Sequence, residues 1–176
     1  MATDTALLVI DVQVGMFPDV DPVYDGDGLL QRIHSLITRA RESHIPIVYI
    51  QHNEEEGEPL ETNSPGWCIH PMIAPLAGDL IVEKHTPDAF HETILQQHLR
   101  SLGIHQLVLV GIQTDLCIDA TCRRASQLEY EVTVAQDAHS TWGQGDQSAA
   151  QIIEHYNRQF ESFATIRDSS SIEFTS

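Results

Sequence analysis

The chain is almost without lysine. Among 176 residues there is one, Lys84, and lysine plus arginine reach only 9 against 26 aspartates and glutamates, a formal net charge of -17. Such a surplus of negative charge repels polyanions and argues against nucleic acid or an anionic membrane surface as a partner. Cysteine is scarce as well: 3 residues without regular spacing fit reduced thiols, not a disulfide framework. No apolar run approaches the roughly twenty residues that cross a bilayer, and no basic stretch precedes the first run. These absences lead to the expectation of a cytoplasmic protein. The segment Val12-Gln13-Val14-Gly15-Met16 lacks the glycine pattern that brings a backbone against pyrophosphate, which argues against a dinucleotide-binding domain.

What is present is an ordinary apolar fraction, 41%, in a length that suits one domain with one core, taken as residues 1–176. Short β-branched runs alternate with helical periodicity. Strands are expected at Ala6–Asp11, Ile47–Ile50, Leu80–Lys84 (read as short and buried), Leu107–Gly111, Val132–Ala135 and, weakly, Ala164–Ile166. Between them, Leu29, Leu30, Ile33, Leu36, Ile37 and Ala40 recur at helical spacing up to Pro46, with Arg32, Arg39 and Arg41 on the polar face. A second helix is expected to start near Thr86-Pro87-Asp88, with Phe90, Ile94, Leu95, Leu99 and Leu102 as its stripe and Gly103 as terminator. A third runs from about Asp115 to Leu128, and a fourth carries Ile152, Ile153, Tyr156 and Phe160. The fold class that follows is α/β: a single doubly wound, Rossmann-like domain with a six-stranded, mostly parallel sheet and helices on both faces. The long segment between the second and third strands is a candidate wall of a site.

In such a sheet the strand ends share one edge, where ligands bind. Three chemically distinct groups follow three strands: Asp11, Lys84 and, after Ile112-Gln113-Thr114-Asp115-Leu116, Cys117. With Thr114 or Asp115 as cap, Cys117 falls in the first turn of the third helix, where free N–H groups, the dipole and a nearby lysine lower a thiol's pKa toward neutrality. The same turn offers N–H donors to a developing oxyanion. Taken alone, Cys117 fits a small buried apolar residue at least as well, Asp11 a turn cap and Lys84 a solvated side chain. Together the three supply a nucleophile, a base and a cation, the parts of covalent acyl transfer. Cys122, five residues on, points to another face and is expected to pack.

Leu7-Leu8-Val9-Ile10-Asp11-Val12-Gln13, Glu83-Lys84 with Asp88-Ala89-Phe90, Gly111-Ile112-Gln113-Thr114-Asp115-Leu116-Cys117-Ile118 and Asp137-Ala138-His139 occur in this order along nearly the whole chain. In these pieces it resembles the isochorismatase-like cysteine hydrolase superfamily. The resemblance implies a catalytic triad of Asp11, Lys84 and Cys117, a cis peptide between Ile112 and Gln113, and an oxyanion hole of the Gln113 and Cys117 N–H groups. It implies a small-molecule substrate, no organic cofactor, and a homo-oligomer, dimer or tetramer. Members that open isochorismate lack the cysteine and cleave a vinyl ether. The presence of Cys117 therefore favours a small amide, lactam or related C–N bond, hydrolysed through a thioester.

Nicotinamidase-like members carry an Asp-x-His metal motif after the second strand, where this chain has Gln51-His52-Asn53. No metal site is therefore expected, and His52 and His70 are left as isolated loop histidines. Phe17, His52, Trp67, Phe90 and Trp142 are the expected substrate pocket, with core packing an equal reading for Phe90, and Cys68 is left open between lining the site and plain exposure. Ser64-Pro65-Gly66-Trp67 with Thr86-Pro87-Asp88 resembles the streptothricin hydrolase branch, which opens a lactam in a cationic antibiotic. The acidic chain would suit a cationic substrate. Two alternatives stand beside this reading: an isochorismatase-type vinyl ether hydrolase, and a non-enzymatic phospho-receiver-like signalling domain, whose acceptor aspartate would follow the third strand, where Lys84 stands.

Overall fold

The computed structural model describes residues 3–175. Six strands, β1 (Thr5–Ile10), β2 (Ile47–His52), β3 (Leu80–Lys84), β4 (Gln106–Ile112), β5 (Glu131–Ser140) and β6 (Thr165–Arg167), form one sheet in the order β3-β2-β1-β4-β5-β6. Every pairing is parallel, so the sheet is wholly and not mostly parallel. The order reverses between β1 and β4, and the crevice at that point receives the residues that follow both strands. It is not the 2-1-3-4-5 order of flavodoxin-like receivers.

β1 is central, and Ala6 to Ile10 are buried on both sides. Leu7 and Val9 face α1 (Gly26–Glu42), whose Leu29, Leu30, Ile33, Leu36, Ile37 and Ala40 are all buried in one cluster. Ala6, Leu8 and Ile10 face the cluster of α2 (Leu95–Ser101), α3 (Asp119–Gln127) and α4 (Ala149–Phe160). Each fully buried Leu or Ile contributes about 1.5–3 kcal/mol, which is what fixes these faces. The arginines of α1 are fastened, not free. Arg39 donates to the carbonyls of Ser169 and Ile172 at 2.7 and 2.6 Å, and Arg41 pairs with Asp79 at 2.8 Å.

Several boundaries differ from the sequence reading. β3 is the sheet's edge, not a buried strand: Ile81 is exposed while Val82 and Lys84 alternate inward. That period of two is what turns the one lysine into the protein. α2 begins at Leu95, after the expected start. The Asp88 carboxylate accepts from the Phe90 N–H at 2.8 Å and Thr93 Oγ1 from the Leu95 N–H at 3.3 Å, and Glu92 has φ 53°, so side-chain-supported turns replace the first helical turns. Ile94 and Leu102 are exposed, leaving Leu95 and Leu99 as the buried stripe. Gly103 ends the helix at φ 67°, as a C-terminal glycine does. β5 runs on to Ser140, so Asp137-Ala138-His139 lies within it. A register shift between Leu109 and Gly111 on β4 lets Gly111 face His139.

Candidate active site

Asp11 follows β1 in a left-handed turn, φ 52°, and its N–H is held by the Ile50 carbonyl at 3.0 Å. Its carboxylate is fully buried: Oδ2 lies 2.9 Å from Lys84 Nζ, and neither oxygen has another donor among the described residues. Lys84, 1% exposed, reaches the crevice from the inward face of β3. Around its Nζ stand Asp11 Oδ2 at 2.9 Å, His52 Nδ1 at 2.8 Å, the Thr86 carbonyl at 3.0 Å and Cys117 Sγ at 3.4 Å. The acid, the amine and the thiol expected from the sequence are thus one cluster. Burial works against the Lys84 charge, but Asp11 and then Cys117 outweigh it and hold the pKa above that of an ordinary lysine.

Cys117 sits in a π-helical turn, Thr114–Ile118, and α3 starts only at Asp119. Neither Thr114 nor Asp115 caps a helix here. Thr114 Oγ1 meets His139 Nδ1 at 2.8 Å, and Asp115 accepts from Thr141 at 2.6 Å and Gln144 at 2.5 Å. Both side chains fasten the turn to β5 and the segment after it. The expectation of a lowered thiol pKa is overturned as well. Burial, then the Asp11 charge, push the Cys117 thiol well above the ordinary value, and Lys84 offsets only part of this. The group is a thiol beside the Asp11–Lys84 ion pair.

The Ile112–Gln113 peptide is cis, and the Gln113 carbonyl accepts from the Leu116 and Ile118 N–H groups at 3.2 and 3.0 Å. This backbone reversal sits just after β4. Gly111, at φ 131°, makes room for it: a Cβ there would lie 2.0 Å from the Ile10 carbonyl oxygen, so only glycine fits beside β1. His139, 3% exposed, donates from Nε2 to Asn157 Oδ1 at 2.7 Å, which leaves Nδ1 to accept from Thr114. Burial drives its pKa down to about 4, so the ring is neutral. The sequence showed His139 only as part of a motif, and its hold on the cysteine turn was missed.

Beside Gln113 opens a cleft of about 390 Å³, lined by Met16, Pro18, Pro59, Leu60 and Trp142, with Asp21 and Glu54 as its charged members. The long β2–β3 segment supplies Glu54, Pro59 and Leu60 to this cleft. Gln13, buried just after β1, ties β2 to the β2–β3 segment. Its amide donates to the carbonyls of His52 and Trp67 at 2.9 and 2.8 Å and accepts from the His52 N–H at 2.9 Å. A larger hollow, about 420 Å³, involves Gln106, Glu131 and Thr165 at the starts of β4, β5 and β6; it lies at the opposite sheet edge from the cluster.

Of the five residues expected to form the pocket, Trp142 lines the cleft and His52 a neighbouring hollow with Glu54, Glu55, Glu58 and His85. Phe90 is instead a core residue, stacked on Tyr130 at 5.9 Å. Phe17 packs on the core of the α1 face, edge-on to His70 at 4.9 Å, and Trp67 offers its carbonyl to Gln13 and Gln51. Cys122 is buried and packs with α3's core, whereas Cys68 is exposed.

A model of the isochorismatase domain matches residues 5–169. The chain belongs to the isochorismatase family. A streptothricin hydrolase of Streptomyces noursei is 32% identical over 137 residues, 78% of this chain but 54% of its own length. The chain thus spans about half of that relative. An uncharacterised isochorismatase family protein of Bacillus subtilis, YddQ, is 33% identical with 78% of both chains covered. Ureidoacrylate amidohydrolase RutB of Variovorax paradoxus is 29% identical over 85% of this chain and 74% of its own. Among solved structures, an isochorismatase from Pseudomonas putida superposes with TM-score 0.92 at 28% identity, covering 96% of this chain and 90% of that one.

Within this isochorismatase fold no group of three metal-ligating side chains occurs among the described residues. His52 Nδ1 faces the Lys84 ammonium, and His70 Nδ1 accepts from the Met72 N–H at 3.2 Å. No helix among the described residues is long and apolar enough to cross a membrane.

Proposed function

We propose that the protein is a cysteine-dependent hydrolase of a small amide, lactam or related C–N bond. The observation that carries this reading is the buried cluster in which one ammonium lies 2.9 Å from the Asp11 carboxylate and 3.4 Å from the Cys117 thiol. Asp11 takes the thiol proton as Cys117 Sγ attacks the carbonyl carbon, so the thiolate forms only when it is used. The tetrahedral oxyanion is met by the N–H groups of Gln113 and Cys117, presented at the turn after β4. As the C–N bond breaks, Asp11 returns the proton to the departing nitrogen. Water, deprotonated by Asp11, then cleaves the thioester and the proton goes back to sulfur. Lys84 keeps Asp11 oriented and balances charge throughout.

The relatives named streptothricin hydrolase and ureidoacrylate amidohydrolase support the C–N reading. A vinyl ether hydrolysis would leave the Cys117 thiol without a task. The cleft beside Gln113 has carboxylates at Asp21 and Glu54, no lysine or arginine, and Trp142 as an apolar wall. This lining supports a substrate with an apolar body and a positive group. The test is a library of small amides and lactams, neutral, anionic and cationic, screened for amine release by the parent and by Cys117→Ala. Release from cationic members by the parent alone is expected. Equal release by Cys117→Ala would reject the mechanism.

A further inference from the structure

Lys84 has more acceptors than protons. An ammonium carries three N–H bonds, and four groups surround Nζ: His52 Nδ1 at 2.8 Å, Asp11 Oδ2 at 2.9 Å, the Thr86 carbonyl at 3.0 Å and Cys117 Sγ at 3.4 Å. Since an ammonium has no lone pair, the contact with Nδ1 requires that nitrogen to be the acceptor. His52 is then neutral, with its hydrogen on Nε2. The thiol has the longest of the four contacts and the weakest acceptor in its resting form. The geometry points to His52 as a positioning residue that competes with Cys117 for the third proton of Lys84, holding it while the thiol is protonated and releasing it when the thiolate forms.

The competition is built into the sheet. His52 and Lys84 are direct register partners on β2 and β3, so their side chains leave the same face of neighbouring strands, about 5 Å apart at the backbone. The His52 N–H is fixed by Gln13 Oε1 at 2.9 Å and its carbonyl by Gln13 Nε2 at 2.9 Å, which pins the backbone from which the ring projects. His52 also lines the hollow of Glu54, Glu55, Glu58 and His85. The charged groups that bear on it are Lys84 and His85, which disfavour a second positive charge, and Asp11 and Glu54, which favour one. Burial first and the Lys84 ammonium next hold its pKa below the ordinary histidine value, consistent with a neutral acceptor at neutral pH.

This inference rests on the reading of Lys84 as the cation that supports the Cys117 thiolate, and one experiment separates the two. The alkylation rate of Cys117 by iodoacetamide is followed against pH, with peptide mass used to exclude Cys68 and Cys122. The variants are His52→Leu, with His52→Ala beside it in case the bulk of leucine disturbs the fold, His52→Asn, which keeps an acceptor near the Nδ1 position, and Lys84→Met, with Lys84→Gln as a second neutral replacement. The double variant His52→Leu with Lys84→Met completes the cycle.

With the competitor gone, the third Lys84 proton passes to sulfur, and the Cys117 alkylation rate of His52→Leu at a given pH should rise roughly tenfold. His52→Asn should keep the parental rate, Lys84→Met should lower it by roughly tenfold or more, and the double variant should match Lys84→Met. If Lys84→Met slows while His52→Leu stays level or slows, the competition is wrong and the cluster stands. A gain in His52→Asn as large as in His52→Leu also overturns it, because acceptor chemistry would then be irrelevant. If folded Lys84→Met and Lys84→Gln leave the rate unchanged, the reading of the cluster fails and the inference with it.

Discussion

Replacing Lys84 with methionine keeps most of the apolar stem and removes the ammonium that pairs with the buried Asp11 carboxylate. Both partners of this pair are fully buried, so no solvent takes over when the ammonium is gone. Breaking a buried pair from one side costs about 3–5 kcal/mol, far above the ~1 kcal/mol of an exposed one. For a domain of this size each kcal/mol lowers the melting temperature by roughly 2–4 °C, giving a fall of roughly 6–20 °C. Urea unfolding of the parent and Lys84→Met, with slopes checked to be equal, measures the difference. The double variant Asp11→Asn with Lys84→Met, which leaves no buried charge, should recover most of the loss. A change below about 1 kcal/mol in Lys84→Met would mean that the pair is solvated, and would refute the buried cluster on which the chemistry depends.

His139 predicts an acid-sensitive fold: its pKa of about 4 lies below the ordinary 6.5, so the unfolded chain binds the proton first. The stability held by its neutral ring is complete above about pH 6.5, declines as pH falls, and is lost by about pH 4, a total of ~3 kcal/mol. Urea midpoints across this range should slope accordingly, and His139→Gln should flatten the slope; an equal slope in the variant would assign it to other groups. Gly111→Ala places a methyl 2.0 Å from the Ile10 carbonyl at φ 131°, next to Asp11, so it should abolish turnover and cost several kcal/mol, on the order of 2–4; near-parental activity would contradict the close approach. Exhaustive chelation should leave the rate unchanged, since no group of three metal-ligating side chains occurs among the described residues; activity lost on chelation and restored by a single metal would contradict this.

The fold was legible because its strands are β-branched and its helix α1 is strictly periodic, signals set by burial on a fixed period. Asp11, Lys84 and Cys117 were legible for the same reason: each ends or follows such a run, and a parallel sheet brings run ends together. Their electrostatics were not. Cys117 lies not in an α-helical first turn but in a π-turn that buries the residue to 8% exposure beside a carboxylate, and desolvation then dominates its titration. His52 as the partner of Lys84 follows from the register of β2 with β3, and register between non-adjacent runs has no local signal. Phe17 and Phe90 turned inward because an apolar ring near a crevice gains as much from the core as from a pocket wall. The false start of α2 came from a turn around Asp88 whose residues also suit a helix cap.

The central claim is that the bond is broken through a thioester on Cys117. Its most direct measurement is the mass of the protein quenched in acid during turnover of an amide that the release screen identifies, followed by peptide mapping. An added acyl mass on the Cys117 peptide, removed by hydroxylamine, is expected, with no adduct in Cys117→Ala. Steady turnover with no adduct in the parent, and a comparable rate in Cys117→Ala, would contradict it.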